Sequence, residues 1–305
     1  MLYTLTTNPA IDMNADSQTM EANKVNRTTN AVYSPNGKGL NVSFVLKHYG
    51  IDSGILGFFG GFSGDYIVSE CRKRGYRINA VEIVGTTRIN MFLTVGGNEY
   101  KLVNNGPVVS AEEQEKMLET LASLQDMDVL TINGSAANGM AEDYYERILE
   151  LCREKGVKTV LDISSTALSG LMRYRPYLIK PNDDEMKAIF GLGAENEEET
   201  IASLKKLHSL GAQNILLTMG EKGIYFYNGS RAYFCEAHPV RLKSSACAGD
   251  SCLAAFLSVW LKKPEKVEYA LRLASATGAS VAESDGLGDF ANVERYLEKV
   301  RVYSL

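Results

Sequence analysis

The sequence predicts an α/β fold, a mostly parallel central sheet with helices on both faces and a small β lid. Three observations carry that expectation. Short apolar, often β-branched runs recur at residues 2–6, 55–58, 129–132, 159–163, 177–180 and 215–218, as strands buried on both faces require. Amphipathic stretches with readable ends separate them. Ser110-Ala-Glu-Glu113 offers an N-terminal cap ahead of Met117, Leu118, Leu121 and Leu124, and stretches around 142–155 and 197–210 run into Gly156 and Gly211 as C′ residues. Strand and helix alternating in this way favour parallel pairing. The alternation breaks twice. Residues 12–35 are polar without a long helical pattern, and residues 88–104 read as a hairpin around Gly96-Gly97-Asn98. We expect one domain over 1–305, with lid segments at about 12–35 and 88–104.

Composition excludes several function classes. With 305 residues, 45% hydrophobic and 23% charged, the chain is neither disordered nor fibrous. A formal net charge of −5 leaves no excess of cations to neutralise a nucleic-acid backbone, so no nucleic-acid partner is expected. No apolar run approaches the ~18 residues of a membrane span. Five scattered cysteines without a C-x-x-C pair argue against a disulfide framework or a zinc site. With an opening segment that lacks signal-peptide character, free thiols lead us to expect a cytoplasmic protein. Neither G-x-x-x-x-G-K-[ST] nor G-x-G-x-x-G occurs, so P-loop and dinucleotide sites are unsupported.

Four motifs and one isolated acid can carry chemistry. Small residues, Ser244-Ser-Ala-Cys-Ala-Gly-Asp250, lead straight into an apolar helical run. A helix start exposes free N–H groups that hold anions, and Asp250 in its first turn could accept a hydroxyl proton or merely complement the helix dipole. Ser34-Pro-Asn-Gly-Lys-Gly-Leu-Asn41 permits close backbone approach to a ligand and also reads as an ordinary helix entry. Asp12 lies just beyond the first strand, where open α/β sheets bind ligands, and could equally be a turn residue. Lys180-Pro-Asn182-Asp-Asp-Glu185 suits oxygen ligands for hydrated magnesium, or an acid-rich helix start. Thr218-Met-Gly220-Glu-Lys-Gly223 fits a nucleotide edge or the turn into another hairpin.

In order along the chain, these motifs resemble the ribokinase (PfkB) family of carbohydrate kinases over essentially the whole length. Thr4 to Asp12, Gly37 to Ser43, Gly57 to Gly64, Thr87-Arg-Ile-Asn90, Ile179 to Asn182 with Glu185, and Ala248-Gly-Asp-Ser251 look most like its hexose-phosphate kinase branch. The resemblance implies a ribokinase-like fold and use of ATP with Mg2+. It implies that Asp250 is the general base, with backbone N–H groups of Cys247, Ala248, Gly249 and Asp250 as anion hole. Asp12 and Asn41 would hold sugar hydroxyls under the Gly37–Gly39 turn. Arg27, Lys38 and Arg88 would meet the sugar's phosphate, with Asn90 and Ser135 as neutral donors. Lys180 would lie near the ATP phosphates, Thr218, Gly220 and Gly223 would border the nucleotide, and Asn182 and Glu185 would organise magnesium through water. A homodimer through the lid is implied as well.

The implied reaction is phosphorylation of a ketohexose monophosphate, foremost fructose 1-phosphate to fructose 1,6-bisphosphate. Tagatose 6-phosphate or another sugar or nucleoside is the alternative acceptor, and a non-catalytic sensor on the same fold is a third reading. Several departures surround substrate recognition. Cys247 replaces the first glycine of Gly-Ala-Gly-Asp, where a positive φ would strain a side chain. Asn133-Gly-Ser-Ala-Ala-Asn-Gly139 lacks the usual prolines, Phe92 stands where a lysine is common, and Asn104-Asn105-Gly lacks an acid.

Overall fold

A computed structural model describes residues 1–305. The chain opens with β1 (Leu2–Thr6), crosses into two further strands, β2 (Ala10–Ser17) and β3 (Thr28–Asn36), and returns through α1 (Lys38–His48). β4 (Ser53–Phe59), α2 (Gly61–Lys73) and β5 (Arg77–Glu82) follow, then the hairpin of β6 (Arg88–Val95) and β7 (Asn98–Leu102). The middle runs α3 (Ala111–Ser123), β8 (Val129–Asn133), α4 (Tyr144–Glu154), β9 (Lys158–Asp162), α5 (Ala167–Leu171) and β10 (Leu178–Ile179). α6 (Asp183–Phe190), α7 (Glu197–Leu210), β11 (Ile215–Thr218), β12 (Ile224–Tyr227) and β13 (Ala232–Cys235) lead to α8 (Ala248–Trp260). α9 (Val267–Ala282), α10 (Val293–Leu297) and β14 (Val302–Ser304) end the chain.

Ten strands form the main sheet in the order β14-β13-β12-β11-β10-β9-β8-β1-β4-β5. Pairing is parallel from β11 to β5 and antiparallel through β12, β13 and β14. Strand residues alternate between two cores, as both-face burial demands. Ile215 and Leu217 join the core that holds the α3 and α4 side chains, while Leu216 joins the one against α8 and α9. α3 begins with the expected cap: Ser110 accepts from the Glu113 N–H while the Glu113 carboxylate accepts from Ser110.

The second sheet, β3-β2-β6-β7, is built from the two segments expected to form a lid, its first strand starting at Ala10 rather than 12. Gly96 and Gly97, with φ of 57° and 87°, make the two-residue hairpin turn. The six apolar runs all became strands, although the run at 177–180 contributes only Leu178 and Ile179. β5, β12, β13 and β14 had no such signal. β5 is an edge strand with Arg77, Asn79 and Glu82 in it, and the last three are short antiparallel additions.

α1 is set onto β1 by its glycines. A Cβ on Gly37, whose φ is 142°, would lie 2.7 Å from Thr6 Cγ2, and one on Gly39 would lie 2.4 Å from Thr6 Oγ1 and 3.1 Å from the Leu5 carbonyl oxygen. The Thr6 hydroxyl also accepts the Leu40 N–H at 3.1 Å. Gly39→Ala is expected to lower stability by about 1–3 kcal/mol through overpacking, measured as a fall in the denaturant midpoint. An unchanged midpoint would mean that α1 is not seated this tightly.

Candidate active site

The parallel register aligns Thr6, Asn133 and Asp162 at the carboxyl ends of β1, β8 and β9. Chain order reverses there, with β4 on one side of β1 and β8 on the other, which opens a crevice above the strand ends. The lid lies over it. Its register sets Asp12 opposite both Asn90 and Ser34, and Ala10 opposite both Arg88 and Asn36. A cavity of about 300 Å³ remains, bounded by Lys38, Arg88, Asn90 and Ser135 of the expected set and by Asn36, Asn133 and Ser164. Only one of its twelve lining residues is hydrophobic, so it suits a hydroxyl-rich, charged ligand rather than an apolar one.

A buried carboxylate organises the charges. Asp162 Oδ1 meets Lys180 Nζ at 3.2 Å and Lys38 Nζ at 3.4 Å, while Oδ2 is buried without a partner. Burial pushes the Asp162 carboxyl up, but the two ammonium groups outweigh it and hold it below the usual range. Burial likewise pulls Lys180 down, and the charges of Asp162 and Glu185 more than reverse it, so Lys180 stays a cation. Asp250, third residue of α8, goes the other way. Burial, then the charge of Asp162, pushes it up to about 7 against the opposing pull of Lys38, the Asn41 amide and Lys180. A carboxyl poised near neutrality is matched to proton abstraction at working pH.

The turn before α8 has the left-handed backbone that the sequence flagged as strained for a cysteine. Cys247 sits in the left-handed region, φ 63° and ψ −11°, which costs a side-chain-bearing residue roughly 1–2 kcal/mol. It provides no side-chain cap, so nothing from its side chain covers the first-turn N–H groups of Ala248, Gly249 and Asp250. Lys180 Nζ lies 3.6 Å from where a Cβ on Gly249 would stand, which brings an ammonium to the same helix end. The thiol packs on amides, 3.3 Å from Asn41 Nδ2 and 3.9 Å from Asn36 Nδ2. Burial, Asp250 and Asp12 push it up to about 12, so it remains a neutral thiol.

Most expected residues converge, with changes in detail. Asp12 is buried and accepts from Asn90 Nδ2 at 2.9 Å and from Asn36; burial raises its carboxyl. Asn41 spends its amide N–H groups on Asp250 Oδ2 (2.9 Å) and Asn36 Oδ1 (3.1 Å), so here it orients the acid rather than facing the cavity. Arg88 donates to the carbonyls of Asn8 and Asn104, and Ser135 is exposed at the rim. Arg27 stands apart, exposed on the loop before β3 and outside the cavity lining. The loop at 133–139 lacks prolines but is pinned otherwise: Gln114 donates to the Gly139 carbonyl and Asn138 to that of Gly106.

Asn182 and Glu185 form a capping box on α6, and Glu185 Oε1 also accepts from Ser164 at 2.5 Å. A bridge between Asn182 and Thr218 places the β11 end beside them, followed by Gly220 and Gly223 with φ of 55° and 103°. No three metal-ligating side chains cluster, so the chain offers no all-protein cage. A single carboxylate near Lys180 does fit magnesium held through waters and substrate phosphates. Three contributors had not been singled out: Asn36, Asp162 and Ser164. Asp162 had a usable signal, a charged residue inside an otherwise apolar strand run at the ligand-binding end. Asn36 lay inside the Ser34–Asn41 motif without a role of its own and ends β3, and Ser164 had no signal beyond its place in the loop after β9.

Residues 5–293 match the pfkB family of carbohydrate kinases. The chain belongs to that family. It is 45% identical over 305 residues to a D-tagatose-1-phosphate kinase of Klebsiella oxytoca, with each chain covered fully. It is 35% identical over 305 residues to a 1-phosphofructokinase of Bacillus subtilis, again with full coverage of both. Among solved structures it resembles the tetrameric inhibited form of phosphofructokinase-2 from Escherichia coli, with a TM-score of 0.88 and 23% identity, covering 97% of this chain and 99% of that one. This carbohydrate kinase thus has the expected ribokinase-like architecture, with Cys247 as its strained departure. Cys247→Gly is expected to raise stability by about 1 kcal/mol by relieving the left-handed side chain, read from thermal melting. An equal or lower melting temperature would show that the amide contacts of the thiol offset the strain.

Proposed function

We propose that the chain is an ATP-dependent ketohexose-1-phosphate kinase, acting on D-tagatose 1-phosphate and, less efficiently, on its epimer fructose 1-phosphate. The observation that carries the reaction type is Asp250, buried at an uncapped helix N-terminus, held by Asn41 and poised near neutrality. The 45% identity to a tagatose-1-phosphate kinase, against 35% to a 1-phosphofructokinase, favours tagatose as acceptor and moves the alternative away from tagatose 6-phosphate. A sensor without turnover has no use for such a base.

The acceptor's phosphate meets Lys38 and Arg88, with Asn90 and Ser135 as neutral donors, and its hydroxyls meet Asp12. The Asp250 carboxylate takes the proton of the terminal hydroxyl. The oxygen forms a bond to the γ-phosphorus while the bond to the bridging oxygen breaks, and ADP leaves with that electron pair. Charge on the moving phosphoryl group is met by the N–H groups of Ala248, Gly249 and Asp250 and by Lys180. Magnesium, held through water by Asn182 and Glu185, would neutralise nucleotide phosphate charge. Thr218, Gly220 and Gly223 border the nucleotide. Exposed Val25, Val32, Tyr33, Tyr100 and Leu102 on the lid support pairing of two lids in a homodimer. Five free thiols fit a cytoplasmic setting.

The test is ADP release by the wild-type enzyme and by Asp250→Asn on a panel of tagatose 1-phosphate, fructose 1-phosphate, tagatose 6-phosphate, fructose and adenosine. The highest kcat/KM is expected on tagatose 1-phosphate, with kcat lower by roughly 10³-fold in Asp250→Asn and ATP affinity nearly intact. Preference for an unphosphorylated sugar, or near-normal turnover by the variant, would overturn the reading.

A further inference from the structure

A line of side-chain amides joins the lid to the base. Asn90 Nδ2 donates to Asp12 Oδ1 at 2.9 Å, and Asn36 Nδ2 donates to Asp12 Oδ2. Asn41 Nδ2 then donates to Asn36 Oδ1 at 3.1 Å and to Asp250 Oδ2 at 2.9 Å. The partners fix the direction of each amide. Asn36 Oδ1 also accepts the Gly37 N–H, so its Nδ2 must face the Asp12 carboxylate, and both oxygens within reach of Asn41 Nδ2 are acceptors. Flipping either amide would set oxygen against oxygen. The line crosses five elements, since Asn90 lies in β6, Asp12 in β2, Asn36 at the end of β3, Asn41 in α1 and Asp250 in the first turn of α8. The Cys247 thiol packs against both amides from the side of the helix turn.

We propose that Asn36 is a positioning residue for phosphoryl transfer, tying the acceptor-facing Asp12 to Asp250 through Asn41 so that seating the sugar and aiming the base are one event. This rests on the reading of Asp250 as the base. Asn41 has two N–H groups, one for Asp250 and one for Asn36. Without the Asn36 oxygen, only the Cys247 thiol at 3.3 Å, a weaker acceptor, remains beside Asp250 to hold the amide, and the carboxylate's donor is fixed less firmly. The charged and titratable groups facing Asp250 are Asp162 at the end of β9, Lys38 on α1, Lys180 after β10 and Cys247 before α8, with Asp12 from β2 behind the thiol. Substituting Asn36 leaves the contacts of Asp162, Lys38 and Lys180 intact and removes one donor from Asp12 and one from the Cys247 thiol. A carboxylate whose donor is fixed less firmly protonates more readily, so the acid limb of activity moves to higher pH.

The experiment compares pH profiles of kcat and kcat/KM, together with thermal melts, for the wild type, Asn36→Ala, Asn41→Ala and the double variant. The acceptor is the panel sugar phosphate that the wild-type enzyme uses best. Asn36→Ala is expected to lower kcat/KM by about tenfold and to move the acid limb up by about half a pH unit. The double variant should shift the limb no further than Asn41→Ala alone, since both act through one bond. Asn36→Ser carries the same expectation and replaces the alanine variant if that does not fold. A folded Asn36 variant with the wild-type acid limb, or fully additive effects with Asn41→Ala, would overturn the proposal while leaving the kinase reading intact. A wild-type enzyme inactive on every panel acceptor overturns both.

Discussion

The site depends on one buried carboxylate shared by two lysines. Asp162 lies at the end of a central strand where water cannot reach it, and an ion in that position is tolerable only with partners of opposite charge. Lys38 arrives from the helix that carries the glycine turn, Lys180 from the loop that precedes α6, and both meet the same oxygen. On the proposed reading, the pair of ammonium groups is thereby held in place for two anionic substrates before either binds. The same negative charge, with burial, keeps Asp250 protonatable near neutrality although it lies beside cations. On that reading, recognition of phosphate and the strength of the base are set by a single electrostatic arrangement.

Around that arrangement the fold accepts local cost. The first turn of α8 goes without a side-chain cap, and Cys247 holds a left-handed backbone that suits glycine better. Strain of this kind persists where the surroundings over-determine it. Here the surroundings are the packing of α8 between α1 and α9, with nine of its thirteen residues buried, and the amides of Asn36 and Asn41 that rest on the thiol. A rigid helix end presents its N–H groups in a fixed direction, as stabilisation of a transferring phosphoryl group requires.

Much of this was legible from residues alone, for identifiable reasons. Strands buried on both faces, such as Leu2–Thr6 and Ile215–Thr218, announce themselves because every position must be apolar or small. The hairpin at Gly96-Gly97 and the Ser110 cap are local chemistry, readable without tertiary knowledge. The positive φ at Cys247 was legible as a departure from glycine. Long-range partnership was not legible. That Asn41 faces Asp250, 209 residues away, or that Lys38 and Lys180 meet on Asp162, follows from sheet register and helix seating rather than from any local pattern. Arg27 shows the converse, a cation in a suggestive position that the lid loop leaves outside the cavity. The antiparallel strands β12 to β14 at one end of the sheet carried no run of their own because short antiparallel additions need little periodicity.

The most direct measurement of the central claim is the protonation of the Asp250 carboxyl in the ligand-free enzyme. It can be followed by carbon-13 NMR as the carboxyl signal missing from Asp250→Asn. The buried charge arrangement predicts a midpoint close to neutrality, about 7. A midpoint at the ordinary value for aspartate, about 4, would contradict it.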